Sequence, residues 1–233
     1  MSTPDTARET AYALLRAVGT RASYANLTLP AMIREARLDG RDSRFATELS
    51  YGSLRMQGTL DVIIADTAGR GLDRIDQDVL DALRLGAYQL LYTRVPPHAA
   101  VSTSVDLVGP RASGFANAVL RKVARTDLTG WLDRLAPDPQ TVAGQAIRTA
   151  HPEWIVSALR DALGGSAEVA AALEADNVAP AVHLVARGTE DRDALAAEVG
   201  GRPGRWAPTS IVLDGGDPAA LAAVRRGRAC VQD

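Results

Sequence analysis

The sequence predicts an α + α/β chain, with an all-α domain over residues 1–128, a helical linker over 129–178 and a small α/β region over 179–233. Two patterns predict it. As far as about Asp127, apolar residues recur at helical spacing and no stretch reads as a credible strand. From Pro180 onward, short Val-, Leu- and Ile-rich runs alternate with helical ones. A chain of 233 residues with 46% apolar side chains also holds a core without disulfide or metal, since proteins of this size remove roughly 70 to 75% of their unfolded surface from water.

Taken in order, Thr6 and Glu9 form a T-x-x-E capping box, and Ala7, Ala11, Leu14, Leu15 and Val18 follow on one helix face. A second helix carries Leu29, Met32, Ile33 and Ala36 and stops near Gly40. A third, from about Asp42, places Phe45, Leu49, Gly52 and Met56 on one face and Arg44, Glu48 and Arg55 on another. Glycine on the apolar face predicts a close helix crossing. Thr59 to Ala65 and Ile75 to Leu91 are further helices, the second carrying Val79, Leu83, Ala87 and Leu90. Val95-Pro96-Pro97 breaks the pattern, and proline in a first turn restarts it through Ala99 to Val108. After a loop at Gly109 to Ser113, a last helix from Gly114 to Arg125 turns Phe115, Val119 and Val123 inward, making about seven helices.

Trp131 to roughly Asp176 still reads as helices, with boundaries at Pro137, Pro139, Pro152 and Gly164-Gly165. Then come a strand at Val182 to Val185, a helix at Asp191 to Val199 and a turn at Gly200 to Gly204. A strand at Ser210 to Leu213, a helix at Pro218 to Arg225 and a strand-like Ala229 to Val231 complete the region. A domain rarely closes on an open strand, which predicts that the chain is a piece of something longer.

Charge narrows the function classes. Twenty-six basic residues against 28 acidic ones give a net charge of −2, which excludes a histone-like polycation, so any nucleic-acid surface is a local patch. All the basic residues but Lys122 are arginine, a bias that GC-rich coding explains without invoking phosphate contacts. The longest uncharged stretch, Ala22 to Ile33, has 12 residues, short of the roughly 18 to 20 that a membrane span needs. Met1 is not followed by a basic and then apolar leader, and the lone Cys230 allows no internal disulfide or CxxC. The expectation is a cytoplasmic protein with no membrane partner.

The best chemical feature is the segment Arg111 to Arg125, which holds four positive charges and no negative one. Asn117, Arg121 and Arg125 fall at i, i+4 and i+8 with Lys122 beside them, and a helix N-terminus at Ser113-Gly114 would add amide donors suited to phosphate. A merely solvated helix face gives the same pattern, so both readings stand at this point. Residues 1 to 129 carry 16 basic against 14 acidic side chains and residues 130 to 233 carry 10 against 14, which makes the N-terminal half the better RNA candidate. His98, His151 and His183 have no partner at metal-ligand spacing, and Cys230 reads as an inert thiol. The glycine pairs match neither a P-loop nor GxGxxG, and ten aromatics, mostly at core positions, do not make an extensive base-stacking platform. The expectation is no catalytic residue, no metal and no cofactor site.

Beyond composition, the residues carry a family likeness. Gly40-Arg41-Asp42 through Arg44, Phe45, Ala46, Glu48, Leu49 and Tyr51-Gly52-Ser53-Leu54-Arg55 resembles the "RD...FA.EL.YG.LR" block of NusB-like domains, continued by Asp81 to Leu91 and Val95 to Val105. Ser113-Gly114-Phe115-Ala116-Asn117-Ala118-Val119-Leu120-Arg121-Lys122 resembles the "GFVNAVLRK" helix of RsmB-type 16S ribosomal RNA cytosine-C5 methyltransferases. His151-Pro152-Glu153-Trp154 resembles their "HPxW", and Arg228 to Asp233 the "VQD" strand that leads into the catalytic core. The chain departs at Ala116, where valine is usual, and in a segment between Val108 and Ser113 that looks about one helical turn short.

The resemblance implies an RNA-recruiting NusB-like domain plus the region before a missing S-adenosylmethionine-binding core. Catalysis in that family uses cysteines in Pro-Cys and Thr-Cys motifs, and Cys230 follows Ala229. This chain alone is therefore expected to be inactive and to hold no cofactor, S-adenosylmethionine belonging to the full-length protein. The expected RNA-binding residues are Arg8, Arg44, Arg55, Asn117, Arg121, Lys122 and Arg125, the expected partner is 16S ribosomal RNA, and a protein partner would dock through the NusB-like domain. A standalone NusB-like factor in transcription antitermination or ribosome assembly, and a helical protein-interaction module without an RNA role, are the alternatives.

Overall fold

The computed structural model describes residues 5–21, 23–164 and 166–232, so Gly165 of the glycine boundary and Asp233 of the terminal strand lie outside the described residues. The chain divides into two compact units, Met1–Asn177 and Val178–Asp233.

The first unit is helical: α1 (Thr6–Arg21), α2 (Ala25–Glu35), α3 (Gly40–Arg55), α4 (Gln57–Ala68), a 3-10 turn at Leu72–Arg74, α5 (Gln77–Tyr92), α6 (Pro97–Val105) and α7 (Pro110–Val123). Four more helices follow, α8 (Leu128–Leu135), α9 (Val142–Thr149), α10 (Glu153–Leu163) and α11 (Ser166–Asp176). Helix α5 is the axle: it packs against α1, α3, α4, α6 and α7, and Val79 to Gln89 is buried on every side but Arg84. An amphipathic stripe suits a helix packed on one face, and α5 is apolar well beyond that because neighbours surround it.

Several boundaries move from those the sequence suggests. Asp5 rather than Thr6 caps α1: its carboxylate accepts from the Arg8 amide at 3.2 Å and its carbonyl from the Glu9 amide at 2.9 Å. Helix α2 ends at Glu35, and Asp39 then caps α3 by accepting from the amides of Arg41 and Asp42 at 2.9 and 3.0 Å. These bonds hold the Asp39 carboxyl below its usual pKa, as expected of a side chain that satisfies open helix amides. Residues 110–113, expected in a loop, are the first turn of α7, with Pro110 at a position where a missing N–H costs nothing. The expected glycine crossing is present, since a Cβ on Gly52 would stand 2.0 Å from Cζ of Tyr88 on α5.

The helices after α7 are tied back to this bundle. Trp131 is buried in its core and donates from Nε1 to the Val123 carbonyl at 3.0 Å, while Thr59 Oγ1 donates to the Ile147 carbonyl at 2.5 Å. Ala146, Val156, Val169 and Leu173 form a small core of their own.

The second unit is an antiparallel sheet of order β2-β3-β1-β4 with helices between strands: β1 (Val182–Ala186), α12 (Arg192–Val199), β2 (Gly201–Pro203), β3 (Ser210–Leu213), a 3-10 turn at Pro218–Ala220, α13 (Ala222–Arg225) and β4 (Ala229–Gln232). Val182 faces Leu213, and Ala186 faces Ala229. The segment Gly200 to Gly204, expected as a turn, contains strand β2, whose Gly201 and Pro203 face Leu213 and Ile211. The stretch expected as one helix from Pro218 to Arg225 is a 3-10 turn followed by α13. Leu184, Leu195, Ile211 and Leu213 fill the core of this unit.

Candidate nucleic-acid interface

Helix α7 ends at Val123, two residues short of the expected end, so the exposed Arg125 lies in the turn after it; the helix buries Ala116, Val119, Leu120 and Val123 and leaves Arg111, Gly114, Ala118, Arg121 and Lys122 exposed. Those positions follow the period of one helix face, and no acidic residue lies between Leu107 and Thr126. Nearby acids are already engaged: Asp66 pairs with Arg134, and Asp127 caps α8 through the Gly130 amide at 2.9 Å. Arg70 lies over the Phe115 ring, 4.6 Å from its centroid, and adds a cation near the start of this face.

Within the stripe the cations are not equivalent. Asn117 is half-buried, and its Oδ1 accepts from Arg121 Nε at 3.2 Å, so it steers that guanidinium rather than facing solvent as an equal member. Lys122 donates from Nζ to the Thr67 carbonyl at 2.9 Å, occupying an open acceptor at the C-terminus of α4. Arg125 and Arg111 have no side-chain hydrogen bond or ion pair among the described residues. The amide donors expected at Ser113-Gly114 lie inside the helix, where the Ser113 amide bonds the Gly109 carbonyl at 3.2 Å.

The other expected residues stand elsewhere. Arg8 lies on α1, its side chain 11% exposed: Nε donates to Gln89 Oε1 at 2.6 Å, another nitrogen pairs with Asp5, and the guanidinium sits 4.8 Å from the Phe45 centroid. It borders a cleft of about 860 Å³ lined also by Arg41, Phe45, Glu48, Arg94 and Pro96. Arg44 is exposed at the start of α3, and Arg55 is half-buried at its end, where its charge reaches Tyr88. Tyr88 donates to Glu48 at 2.5 Å, and burial first, then that bond, holds its hydroxyl well above the usual tyrosine range. No hydrogen bond, ion pair or ring contact among the described residues joins Arg8, Arg44 or Arg55 to Asn117, Arg121, Lys122 or Arg125. The expected residues thus do not form one contiguous set. Sequence reasoning missed Arg41 and Arg94 at the cleft; no local pattern signals them, because the cleft is made by three segments distant in sequence.

No cluster of three or more His, Cys, Asp or Glu suited to a metal occurs among the described residues. The described strands pair antiparallel, and the β1–α12 connection, Arg187 to Asp191, has a single glycine. Cys230 is half-buried on β4. No described helix is long and apolar enough to cross a membrane.

Comparison with known proteins adds four findings. The NusB family profile matches residues 5–125. A Mycobacterium tuberculosis protein with a provisional methyltransferase name is 48% identical over 237 residues, covering 98% of this chain and 52% of its own. The ribosomal RNA small subunit methyltransferase B of Escherichia coli O1:K1 is 30% identical over 234 residues, covering 96% of this chain and 52% of its own. The chain therefore spans about half the length of the curated relatives it matches. Among solved structures, that of PH0851 superposes over 100% of this chain and 54% of its own with a TM-score of 0.74 at 14% identity, which is a likeness of fold.

Proposed function

Because the chain belongs to the NusB family, we propose that its first unit is an RNA-recruiting module, and that the chain is the N-terminal part of an S-adenosylmethionine-dependent 16S rRNA cytosine-C5 methyltransferase of the bacterial cytoplasm. The single observation that carries the RNA role is the exposed basic face of α7 and the turn after it, where Arg111, Arg121 and Arg125 have no acidic partner among the described residues. Such a row neutralises backbone phosphates and releases their condensed counterions, and no groove geometry is required. Arg121 is aimed by Asn117, while Lys122 contributes only the part of its charge not committed to α4. The methyltransfer chemistry and the S-adenosylmethionine site belong, in this reading, to a further domain, and this chain supplies no residue to either. Alignment with methyltransferase-named relatives continues through the second unit, which favours this reading over a standalone NusB-like factor.

The experiment is an anisotropy titration of labelled hairpins and single strands from 16S ribosomal RNA with the purified chain at low salt. Micromolar binding that weakens steeply with salt is expected. Absence of binding at about 50 mM salt, where phosphate contacts are strongest, would contradict the reading.

A further inference from the structure

One end of the second unit's sheet collects features that α7 does not use. The strand ends there are Ala186, Pro203, Ser210 and Ala229, as the register pairs Val185 with Ser210, Pro203 with Ile211 and Ala186 with Ala229. Three connections meet at this end: Arg187 onward after β1, the β2–β3 hairpin loop 204–209, and the turn Arg226-Gly227-Arg228 before β4. The backbone ties them together, through the Ala186 amide to the Thr209 carbonyl and the Arg187 amide to the Arg228 carbonyl, both at 2.9 Å.

On the hairpin loop Trp206 is 85% exposed. Arg205 covers one face of its ring, 4.4 Å from the centroid, and the loop is bracketed by Pro203 and Pro208, which restrict its backbone. The charges around it do not cancel, although the unit's arginines and acids are equal in number. Arg228 holds both Glu190 and Glu198 in hydrogen-bonded ion pairs at 2.7 and 2.8 Å. Asp191 caps α12, accepting from the amides of Asp193 and Ala194 at 2.9 and 3.0 Å. Arg187, Arg205 and Arg226 are exposed and have no ion pair among the described residues. An open indole face beside unpaired guanidinium groups matches an unstacked base linked to its phosphates, because every base has a π-face and the backbone supplies the anion.

We propose that this end of the sheet is a second RNA contact, with Trp206 stacking on an unpaired base and Arg187, Arg205 and Arg226 meeting the flanking phosphates. It rests on the reading of the chain as RNA-binding and names what that reading leaves open: the RNA is single-stranded where it meets this unit. The exposed apolar side chains here are Trp206 with Pro203, Ala207 and Pro208 on its own hairpin, a small patch for a protein partner, and the unpaired arginines favour a polyanion.

The test uses the full chain, a labelled single-stranded RNA of about 12 nucleotides, enough for one site of this kind, and a duplex of equal length. Binding to the single strand should quench tryptophan fluorescence, and Trp206→Phe should abolish that quench while keeping most of the affinity. Trp206→Ala should weaken binding about fivefold or more, the low end of what one stacked base contributes. Arg187→Ala with Arg205→Ala should reduce the salt dependence, and the duplex should not quench. Unchanged affinity and quench in both Trp206 variants, with RNA still bound, would overturn this proposal alone; failure of the wild-type chain to bind RNA at all would overturn it together with the reading it rests on.

Discussion

Lys122 Nζ donates to the Thr67 carbonyl at 2.9 Å, so the single lysine of the chain pins helix α7 to the end of α4. This bond separates two neighbours that the sequence presents as equivalent. Lys122→Ala should lower stability by about 1 kcal/mol, less than the roughly 1.5 to 3 kcal/mol of a buried hydrogen bond to a charged group because Lys122 is exposed, and shift RNA affinity little. Arg121→Ala should do the reverse. Denaturant melts and RNA titrations of the two single variants separate these outcomes.

Arg8 makes the same point on α1. Its guanidinium satisfies Gln89 Oε1, which is fully buried, and lies against Phe45. Truncation leaves that oxygen without its donor, at a cost of about 1 to 3 kcal/mol. Arg8→Ala is therefore expected to lower the melting temperature clearly while RNA affinity, measured well below the transition, changes less than twofold; a full-stability variant with lost RNA binding would assign Arg8 to the interface instead.

Gly52 and Tyr88 fix the α3–α5 crossing. A Cβ 2.0 Å from Cζ and 2.1 Å from Oη leaves no room for even one methyl group without moving the ring, and the ring is held by its bond to Glu48. Gly52→Ala should destabilise the chain by about 1 to 3 kcal/mol, the range for overpacked cores. Thermal unfolding followed by circular dichroism reads it directly.

Much of this was legible beforehand, and the gaps have physical causes. Apolar period located all seven helices of the first domain, and Gly52 on an apolar face announced a crossing because only close approach explains it there. Asp5 displaced Thr6 as a cap because both offer an oxygen at nearly the same place and only backbone geometry chooses between them. Gly109-Pro110 read as a loop because glycine and proline mark turns, though proline equally opens a helix. Strand β2 is three residues between glycines, too short for any period to register. For the site, exposure of Arg121 followed from helix spacing, while Arg125 is exposed in the turn beyond the helix end; the partners of Lys122 and Arg8, 55 and 81 residues away, are set by tertiary packing that no local window contains.

Asp81 gives a pH signature. It is buried on α5, bonded through Oδ1 to Gln77 at 2.7 Å and Arg84 at 3.2 Å, while Oδ2 takes no hydrogen bond and has Arg16 at 3.7 Å. Arg84 is mainly held by Asp61, at 2.7 and 2.8 Å. Burial outweighs these contacts and raises the Asp81 pKa above its usual 3.8. A raised folded-state pKa means that the native form binds the proton more tightly than the unfolded chain. The stability so contributed is present below about pH 4 and is lost as pH rises through the raised value. Wild type should therefore lose stability relative to Asp81→Asn as pH rises from about 4 through the raised value, as urea midpoints measured over that rise would show; a difference independent of pH would contradict it.

The central claim, that the α7 face binds RNA through phosphates, is tested most directly by the salt dependence of affinity for single-stranded 16S RNA. Three contacts from Arg111, Arg121 and Arg125 contribute about −2 to the log–log slope, from roughly −0.7 per contact on a single strand. Arg121→Ala with Arg125→Ala should make the slope shallower by about 1.4, the share of two contacts, and leave helicity unchanged, since Arg121 is exposed and Arg125 lies in the turn beyond the helix. Equal slopes and equal affinities for wild type and the double variant would contradict the claim.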